Sequence, residues 1–284
     1  MAVKDKVVAI TGAARGMGRA YVQGFLAEGA KVVALDRSWD PTGSSGDEDD
    51  AFRRELDSRK DDVVLVTVDI TDGEAIEEAY RAAMKKFGTV DVLINNAGMR
   101  QRDLFPPSGR ITTLETKDSD FERMFAVNVF GTLKMTRAFI RPMIEKKSGS
   151  IFSVISSGAL HHSHGGAYMA LRPNSREQPY QASKAAIMTM MSYIADEVRE
   201  HNVAVNVLIP GHTRTTGYLQ QNQARAAMGS STGPTPMRPE HMVPIALFLA
   251  DRDAASGVTG KTFDVMTWNI EHGLGGSEAW AWKD

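Results

Sequence analysis

Apolar residues recur along the chain in short runs that alternate with longer amphipathic stretches. The short runs have the length of strands buried on both faces, and the longer stretches have helical periodicity. Strands are predicted at residues 6–10, 31–35, 63–68, 90–94, 150–155, 203–209 and 262–265. Helices are predicted at residues 18–28, 73–87, 119–147, 180–201 and 239–249.

This alternation predicts an α/β fold, a doubly wound parallel sheet of about seven strands with helices on both faces. We expect one domain over residues 1–284, because a boundary inside the first βαβ unit would leave both halves without a core. The most polar stretch, residues 38–60, is interpreted as a solvated surface loop leading into a short helix.

Composition narrows the function classes. The 33 basic and 35 acidic residues give a net charge of -2, which favours a small-molecule substrate and neither nucleic acid nor a membrane as partner. The absence of cysteine excludes thiolate catalysis and cysteine-bound metal. Without a long apolar run or a leader-like start, the expected location is the cytoplasm.

A glycine-rich turn joins the first strand to the first helix. Gly12 allows the tight turn, Gly16 lets the backbone approach a pyrophosphate, and Gly18 permits close helix packing. The helix N-terminus adds N–H groups and a positive dipole end. The turn therefore predicts a dinucleotide site.

The second strand ends at Asp36, where a carboxylate accepts hydrogen bonds from the adenosine ribose and repels a 2′-phosphate. This favours NAD. Arg15 and Arg37 keep NADP open as the less favoured alternative, since a guanidinium pairs well with a phosphate. Asp69 is either an adenine-side contact or part of a helix cap.

Six motifs in order then resemble the short-chain dehydrogenase/reductase family over residues 5–265. They are Thr11-Gly12-x-x-x-Gly16-x-Gly18, Asn95-Asn96-Ala97-Gly98, Asn128, Ser156-Ser157, Tyr180-Gln181-Ala182-Ser183-Lys184 and Pro210-Gly211. The resemblance implies a Rossmann-like domain, and an oxidoreductase that moves a hydride between a secondary alcohol or its ketone and a nicotinamide cofactor.

The resemblance also implies the site residues. The catalytic group is Asn128, Ser157, Tyr180 and Lys184. The cofactor group is Gly12, Arg15, Gly16, Met17, Gly18, Asp36, Asp69, Ile70, Asn96, Ala97, Gly98, Tyr180, Lys184, Pro210, Gly211, Thr213 and Thr215. Asn128 would hold a water that links Lys184 to solvent.

The Tyr180–Lys184 pair also makes chemical sense without the family. Residues four apart share a helix face, so the Lys184 ammonium can stabilise the Tyr180 phenolate and lower the tyrosine pKa. Tyr180 then serves as the general acid or base. Tyr168 is a weaker candidate, because its partner four residues on is Arg172, whose charge does not titrate usefully.

Two segments are longer than the family normally has: residues 99–117 and 158–179. The second follows Ser157, chosen over Ser156 because the second serine of the family's pair usually polarises the substrate oxygen. Both segments carry arginines, which predicts a polar or anionic substrate; these are Arg100, Arg102, Arg110, Arg172 and Arg176. His161, His162 and His164 are interpreted as loop residues, with no metal expected.

Residues 212–237 are interpreted as a lid over the substrate, and Trp280 and Trp282 are expected to be buried against the lid or another subunit. We expect a homodimer or homotetramer formed through helices 119–147 and 180–201. Two other functions are weighed: an NAD-binding regulator without turnover, and a nucleotide-sugar epimerase or dehydratase. The intact Ser157, Tyr180 and Lys184 set argues against the first, and the lack of a large substrate domain against the second.

Overall fold

A computed structural model describes residues 3–40, 46–100, 103–104, 113–159, 178–215, 218–219, 226 and 235–283, with the backbone alone at 46–48. The strands are β1 Val7–Thr11, β2 Lys31–Asp36, β3 Val63–Thr67, β4 Val92–Asn95, β5 Gly149–Val154, β6 Val203–Ile209 and β7 Thr262–Asp264. The α-helices are α1 Gly16–Ala27, α2 Gly46–Ser58, α3 Gly73–Phe87, α4 Asp118–Phe125, α5 Thr132–Phe139, α6 Arg141–Lys146, α7 Gln178–Glu197, α8 Val243–Ala250 and α9 Val265–Glu271.

The seven strands form one parallel sheet in the order β3-β2-β1-β4-β5-β6-β7. The predicted α/β doubly wound fold is thereby confirmed. The strand order changes direction at β1, which pairs with β2 on one side and β4 on the other. In such sheets a crevice opens beyond the carboxyl ends of the strands at this point, and ligands bind there.

Helices cover both faces of the sheet because successive strand residues point to opposite sides. Val8 and Ile10 of β1 join a core cluster with residues of α1, α2, α8 and α9. Val7 and Ala9 of the same strand join a second cluster with residues of α3, α5 and α7. Strands buried on both faces explain the nearly continuous apolar runs of the sequence.

The polar stretch at residues 38–60 is more structured than predicted. It contains α2, a helix of 13 residues, and Phe52 and Leu56 of this helix are 5% and 1% exposed. These two side chains pack into the core cluster that includes α1. The short helix expected after the loop is thus present, and two apolar residues at helical spacing anchor it to the core.

The stretch predicted as a helix at residues 119–147 is helical, but it is not one regular α-helix. The structure divides this stretch into α4, a π-helical turn at Ala126–Gly131, α5 and α6. Pro142 lies in the first turn of α6, where a proline is tolerated but cannot continue the preceding hydrogen-bond pattern. The π-helical turn contains Asn128, consistent with the tendency of such turns to occur at functional sites.

The chain also departs from the predicted strand at residues 262–265. β7 ends at Asp264, and α9 begins at Val265. The Asp264 carboxylate caps this helix by accepting a hydrogen bond from the Thr267 N–H at 3.0 Å. The capping interaction accounts for the end of the strand, since it satisfies the first turn of a helix.

Several predicted features fall on residues outside the described ranges. They are Arg102, Arg110, His161, His162, His164, Tyr168, Arg172 and Arg176, together with most of the predicted lid. Over the ranges that are described, no helix is both long and apolar enough to span a membrane.

Candidate active site

The glycine-rich turn after β1 has the backbone that only glycine adopts readily. Gly12 and Gly16 have φ values of 67° and 57°, in the left-handed region. A Cβ on Gly18 would lie 1.9 Å from the Gly12 carbonyl oxygen, so any side chain there would push α1 off the turn. Arg15, at the N-cap of α1, makes no side-chain cap hydrogen bond. The turn thus presents an N-terminal helix end toward the crevice.

The turn is tied to the loop after β4 through Thr11. Its hydroxyl accepts hydrogen bonds from the N–H groups of Asn96 and Ala97, each at 3.0 Å. The Asn96 side-chain amide donates to the carbonyl oxygens of Thr11 and Gly12 at 2.9 and 3.2 Å. The ends of β1 and β4 are therefore held together by hydrogen bonds and form the floor of the crevice. In the sequence, Thr11 is marked only by its place in the family motif. Its role in joining the two loops was not predicted.

Asp36, at the end of β2, is 9% exposed and lies beside this floor. One carboxylate oxygen accepts from the Ala14 N–H at 2.9 Å, and the other accepts from the Ser38 N–H at 3.3 Å. Ala14 belongs to the glycine-rich turn, so the acidic side chain and the turn are held at a fixed separation. This is the arrangement in which a carboxylate meets an adenosine ribose.

Asp49, a second acidic residue near the glycine-rich turn, neutralises Arg19. Arg19 of α1 forms an ion pair with Asp49 of α2, and both side chains are largely buried, at 15% and 14% exposure. The Arg19 guanidinium also donates twice to the Ala14 carbonyl oxygen, at 3.1 and 2.9 Å. The Arg19 guanidinium is therefore already engaged by protein acceptors.

Asp69 follows β3 in an exposed turn. Its carboxylate accepts from the Thr71 N–H and the Thr71 hydroxyl, both at 2.8 Å. The side chain that caps α3 is Asp72, which accepts from Glu74 and Ala75. Asp69 thus belongs to the turn that leads into the cap of α3, in line with one of its two interpretations, and the adenine-side contact stays a prediction. The neighbouring Ile70 is 7% exposed and packs against the π-helical turn at Gly131.

The segment after β6 closes the other side of the crevice. Gly211 has a φ of 69°, and Thr213 is 5% exposed. A Cβ on Gly16 would lie 3.1 Å from the Thr215 side chain, which places Thr215 against the glycine-rich turn. The structure thus brings together predicted cofactor residues from the ends of four strands, β1, β2, β4 and β6.

Lys184 lies at the centre of the predicted catalytic group. Its ammonium donates to the Val154 carbonyl oxygen at 2.8 Å and lies 5.8 Å from the centroid of the Tyr180 ring. Burial, with a smaller contribution from the Arg100 charge, lowers the pKa of Lys184 to about 7. The side chain is 5% exposed, which explains why desolvation of the charged form is the larger cause.

Asn128 holds the loop after β4 against α7. Its side-chain oxygen accepts from the Met99 N–H at 2.7 Å, and its side-chain nitrogen donates to the Met99 carbonyl oxygen at 3.0 Å. The same nitrogen donates to the Ser183 hydroxyl at 2.9 Å. The structure therefore gives this buried amide a positioning role; the water that it would hold for Lys184 stays a prediction.

The two serines after β5 differ in their surroundings. The Ser156 hydroxyl accepts from the Gly158 N–H at 3.4 Å, which supports the helical turn at residues 157–159. A Cβ on Gly158 would lie 2.2 Å from the Gln181 side-chain oxygen, so this turn packs directly on α7. Ser157 and Tyr180, which neighbour Gly158 and Gln181 in the chain, are both half-buried.

Arg100 is the residue that sequence reasoning undervalued, since it was noted only as one of several loop arginines. It follows Met99, which Asn128 holds in place, and its N–H donates to the Asp103 carboxylate at 2.6 Å. Its charge is the one that acts on the Lys184 ammonium. The signal that would have identified it is its position directly after the Asn95–Gly98 motif.

These groups fit a nicotinamide dinucleotide. A Cβ on Gly98 would lie 3.4 Å from the Lys184 ammonium and 3.2 Å from the Asn128 side-chain oxygen, so a glycine keeps the path to the ammonium open. The glycine-rich turn offers N–H partners for the pyrophosphate, and the Asp36 carboxylate would accept hydrogen bonds from the adenosine ribose. The Lys184 ammonium would bind the hydroxyls of the nicotinamide ribose. Within the described ranges, no three metal-binding side chains come together.

Comparison with known proteins gives consistent matches. A family model described as short chain dehydrogenase matches residues 6–226. The chain is similar to fluoren-9-ol dehydrogenase of Terrabacter sp. (strain DBF63), at 48% identity over 98% of this chain and 75% of that protein. It is 30% identical to 7alpha-hydroxysteroid dehydrogenase of Bacteroides fragilis, over 92% and 93% of the two chains. The crystal structure of 3-ketoacyl-(acyl-carrier-protein) reductase from Brucella melitensis complexed with NADH has a TM-score of 0.71 at 28% identity, covering 93% and 97%.

Proposed function

The chain belongs to the short-chain dehydrogenase family, and from this premise we propose that it is an NAD-dependent dehydrogenase of a secondary alcohol. As a member of the family it is an oxidoreductase that transfers a hydride between a secondary alcohol or its ketone and a nicotinamide cofactor. The relative named fluoren-9-ol dehydrogenase supports a secondary alcohol as the substrate of this chain.

Four residues carry the proposed proton chemistry. Ser157 donates a hydrogen bond to the substrate oxygen, and Tyr180 takes the hydroxyl proton of the alcohol as the carbonyl forms. The bound nicotinamide supplies the acceptor for the hydride that leaves the carbon. Lys184 stabilises the Tyr180 phenolate before the reaction, and Asn128 keeps the neighbouring loop in place. In the reductive direction Tyr180 returns the proton to the carbonyl oxygen.

The preference for NAD is carried by the position of Asp36. Its carboxylate is fixed by the Ala14 N–H at 2.9 Å, beside the glycine-rich turn, where a 2′-phosphate would meet a negative charge. Arg19, one of the basic residues near the same turn, is neutralised by Asp49. Both observations support a ribose without a phosphate, and NADP is the disfavoured alternative.

We propose that the substrate carries a polar or anionic group that meets Arg100. A guanidinium binds a carboxylate in bidentate fashion and also stacks on aromatic faces. The Arg100 charge acts on Lys184, which supports its position next to the reacting atoms. Arg100 lies at the start of the lengthened segment 99–117, which carries Arg102 and Arg110 as further arginines.

The test is a panel of secondary alcohols and their ketones, assayed by cofactor absorbance with NAD and NADP side by side. The panel pairs an uncharged fused-ring alcohol with a carboxylate-bearing analogue of similar size. Turnover with NAD and a preference for the carboxylate-bearing partner are expected, and Arg100→Ala should remove that preference. A preference for NADP would contradict the cofactor proposal, and equal use of both alcohols would contradict the role of Arg100.

A Tyr180→Phe variant of the same enzyme distinguishes catalysis from cofactor binding without turnover. It removes only the ionisable hydroxyl, so turnover should fall by about 100- to 10,000-fold while the affinity for NADH stays nearly unchanged. Tyr168→Phe serves as the comparison. Substantial turnover in Tyr180→Phe, or an equal loss in Tyr168→Phe, would assign the proton transfer elsewhere.

A further inference from the structure

The C-terminal segment, residues 277–283, adds a strand-like edge to the loop that follows β6. Met237 bridges Thr213 in parallel and Ala281 in antiparallel orientation. The Trp282 N–H donates to the Pro236 carbonyl oxygen at 2.9 Å, and the Arg238 N–H donates to the Trp280 carbonyl oxygen at 2.8 Å. Three stretches that are distant in sequence are thereby tied together by their backbones.

Two arginine–tryptophan contacts reinforce this arrangement. The Arg214 guanidinium carbon lies 3.6 Å from the centroid of the Trp282 ring, and that of Arg238 lies 5.4 Å from the Trp280 ring. Arg214 lies between Thr213 and Thr215, two of the predicted cofactor residues. The shorter contact therefore fixes the segment that packs against the glycine-rich turn.

A buried histidine links the same region to the end of β6. The two ring nitrogens of His241 lie 2.6 Å from the Arg238 carbonyl oxygen and 2.7 Å from the Pro210 carbonyl oxygen. The Asn269 side-chain amide donates to the His241 carbonyl oxygen at 3.0 Å. Hydrogen bonds through Arg238 and His241 therefore link the C-terminal segment to Pro210.

We propose that the C-terminal segment positions residues 210–215 for cofactor binding, with Trp282 as its principal positioning residue. The proposal rests on the function proposed above, because it takes residues 210–215 to be part of the cofactor site. Trp282 itself touches no reacting atom in this scheme. It acts by restricting Arg214, so that Thr213 and Thr215 are already in place when the cofactor binds.

The test compares NADH and NADPH binding to the full-length protein by fluorescence titration. Trp282→Ala is expected to weaken binding of the preferred coenzyme about 5- to 10-fold, from the usual strength of a partly desolvated cation–π contact. The kcat at saturating coenzyme should change less than twofold. Trp282→Phe keeps a ring over Arg214 and should restore most of the affinity.

A matched control separates positioning from general stability. Arg214→Met removes the charge from the Trp282 contact, whereas Arg252→Met removes a similar charge 4.5 Å from the Phe248 ring, outside residues 210–215. Only Arg214→Met should weaken coenzyme binding. Wild-type affinity in Trp282→Ala, or equal losses in the two arginine variants, would overturn the positioning role. A wild-type protein that binds neither coenzyme would instead overturn the proposed function.

Discussion

Lys184 makes the stability of the cofactor-free protein depend on pH. Burial lowers the pKa of this lysine to about 7 in the folded chain, whereas in the unfolded chain it stays near 10.5. Between these two values the unfolded chain binds more protons, so stability rises with pH. Below pH 7 both states are charged, and the full cost of burying the ammonium is present.

We therefore expect the free energy of unfolding to rise between pH 7 and pH 9.5 by up to about 1.4 kcal/mol per pH unit from this group. Urea unfolding of wild type and Lys184→Met at pH 6.5, 8 and 9.5 measures the difference between the two slopes. Tyr21 contributes only at the upper edge of this window: burial raises its pKa, so only the unfolded chain loses that proton as the pH approaches 10, and this lowers the stability of both proteins alike. Parallel pH profiles of the two proteins would contradict the prediction.

Asp36 should decide the choice between the two coenzymes. Asp36→Ala removes the ribose hydrogen bonds and the repulsion of a 2′-phosphate, so the ratio of kcat/KM for NADP over NAD should rise about tenfold or more. Asp49→Asn should shift the ratio in the same direction by a smaller factor, because it leaves Arg19 without its carboxylate partner.

The control lies on the same helix as Asp49. Glu55 of α2 accepts a hydrogen bond from Gln23 at 2.7 Å, and Glu55→Gln removes the same charge without touching Arg19. Steady-state kinetics with both coenzymes should give this variant the wild-type ratio. If Glu55→Gln shifted the ratio as much as Asp49→Asn, the effect would reflect the charge of α2 alone.

Among the secondary-structure elements, α2 shows whether the polar stretch at residues 38–60 contributes to the hydrophobic core. Leu56 is 1% exposed and packs into the cluster around α1. Leu56→Ala should lower the free energy of unfolding by about 2 to 4 kcal/mol, from lost burial and the cavity left behind. Denaturant titration measures this loss. Leu114→Ala, at a leucine that is 98% exposed, should change stability by less than about 0.5 kcal/mol.

The π-helical turn shows how an element is shaped by its site. Asn128 is completely buried there, and its side chain bonds to Met99 and Ser183. The hydrophobic pattern of residues 119–147 predicts a regular α-helix. Such a helix would also satisfy the local backbone hydrogen bonds. The contacts of Asn128 with Met99 and with Ser183 favour the π-helical turn instead. The periodicity of the sequence gives no sign of these contacts.

For the whole molecule, we expect a homodimer or homotetramer through the helices of residues 118–146 and through α7. Phe130 and Tyr193 on these elements are 55% and 69% exposed, which leaves aromatic surface for a second copy. Ile187 and Met191 of α7 are buried in the core of their own chain and do not contribute to this surface.

Light scattering at micromolar concentration should give the mass of at least two chains. Tyr193→Glu should shift the protein toward the monomer, since a charge buried in a subunit interface is costly. Leu114→Glu changes another exposed apolar residue and should leave the mass unchanged. A stable wild-type monomer would refute the expected assembly.

The sequence alone determined the α/β fold, the glycine-rich turn and the shared helix face of Tyr180 and Lys184. Each of these depends on short-range rules: strand and helix periodicity, left-handed glycine backbone, and residues four apart on a helix. The order of the six motifs along the chain also indicated the short-chain dehydrogenase/reductase family.

Tertiary structure decided what joins these local features. It places Arg100 near Lys184, anchors α2 through Phe52 and Leu56, and sets the C-terminal tryptophans on Arg214 and Arg238. Such contacts join residues far apart in sequence, and they form only where packed elements meet. Local propensity does not encode them, because the same short sequence is compatible with many partners until the sheet and its helices fix one.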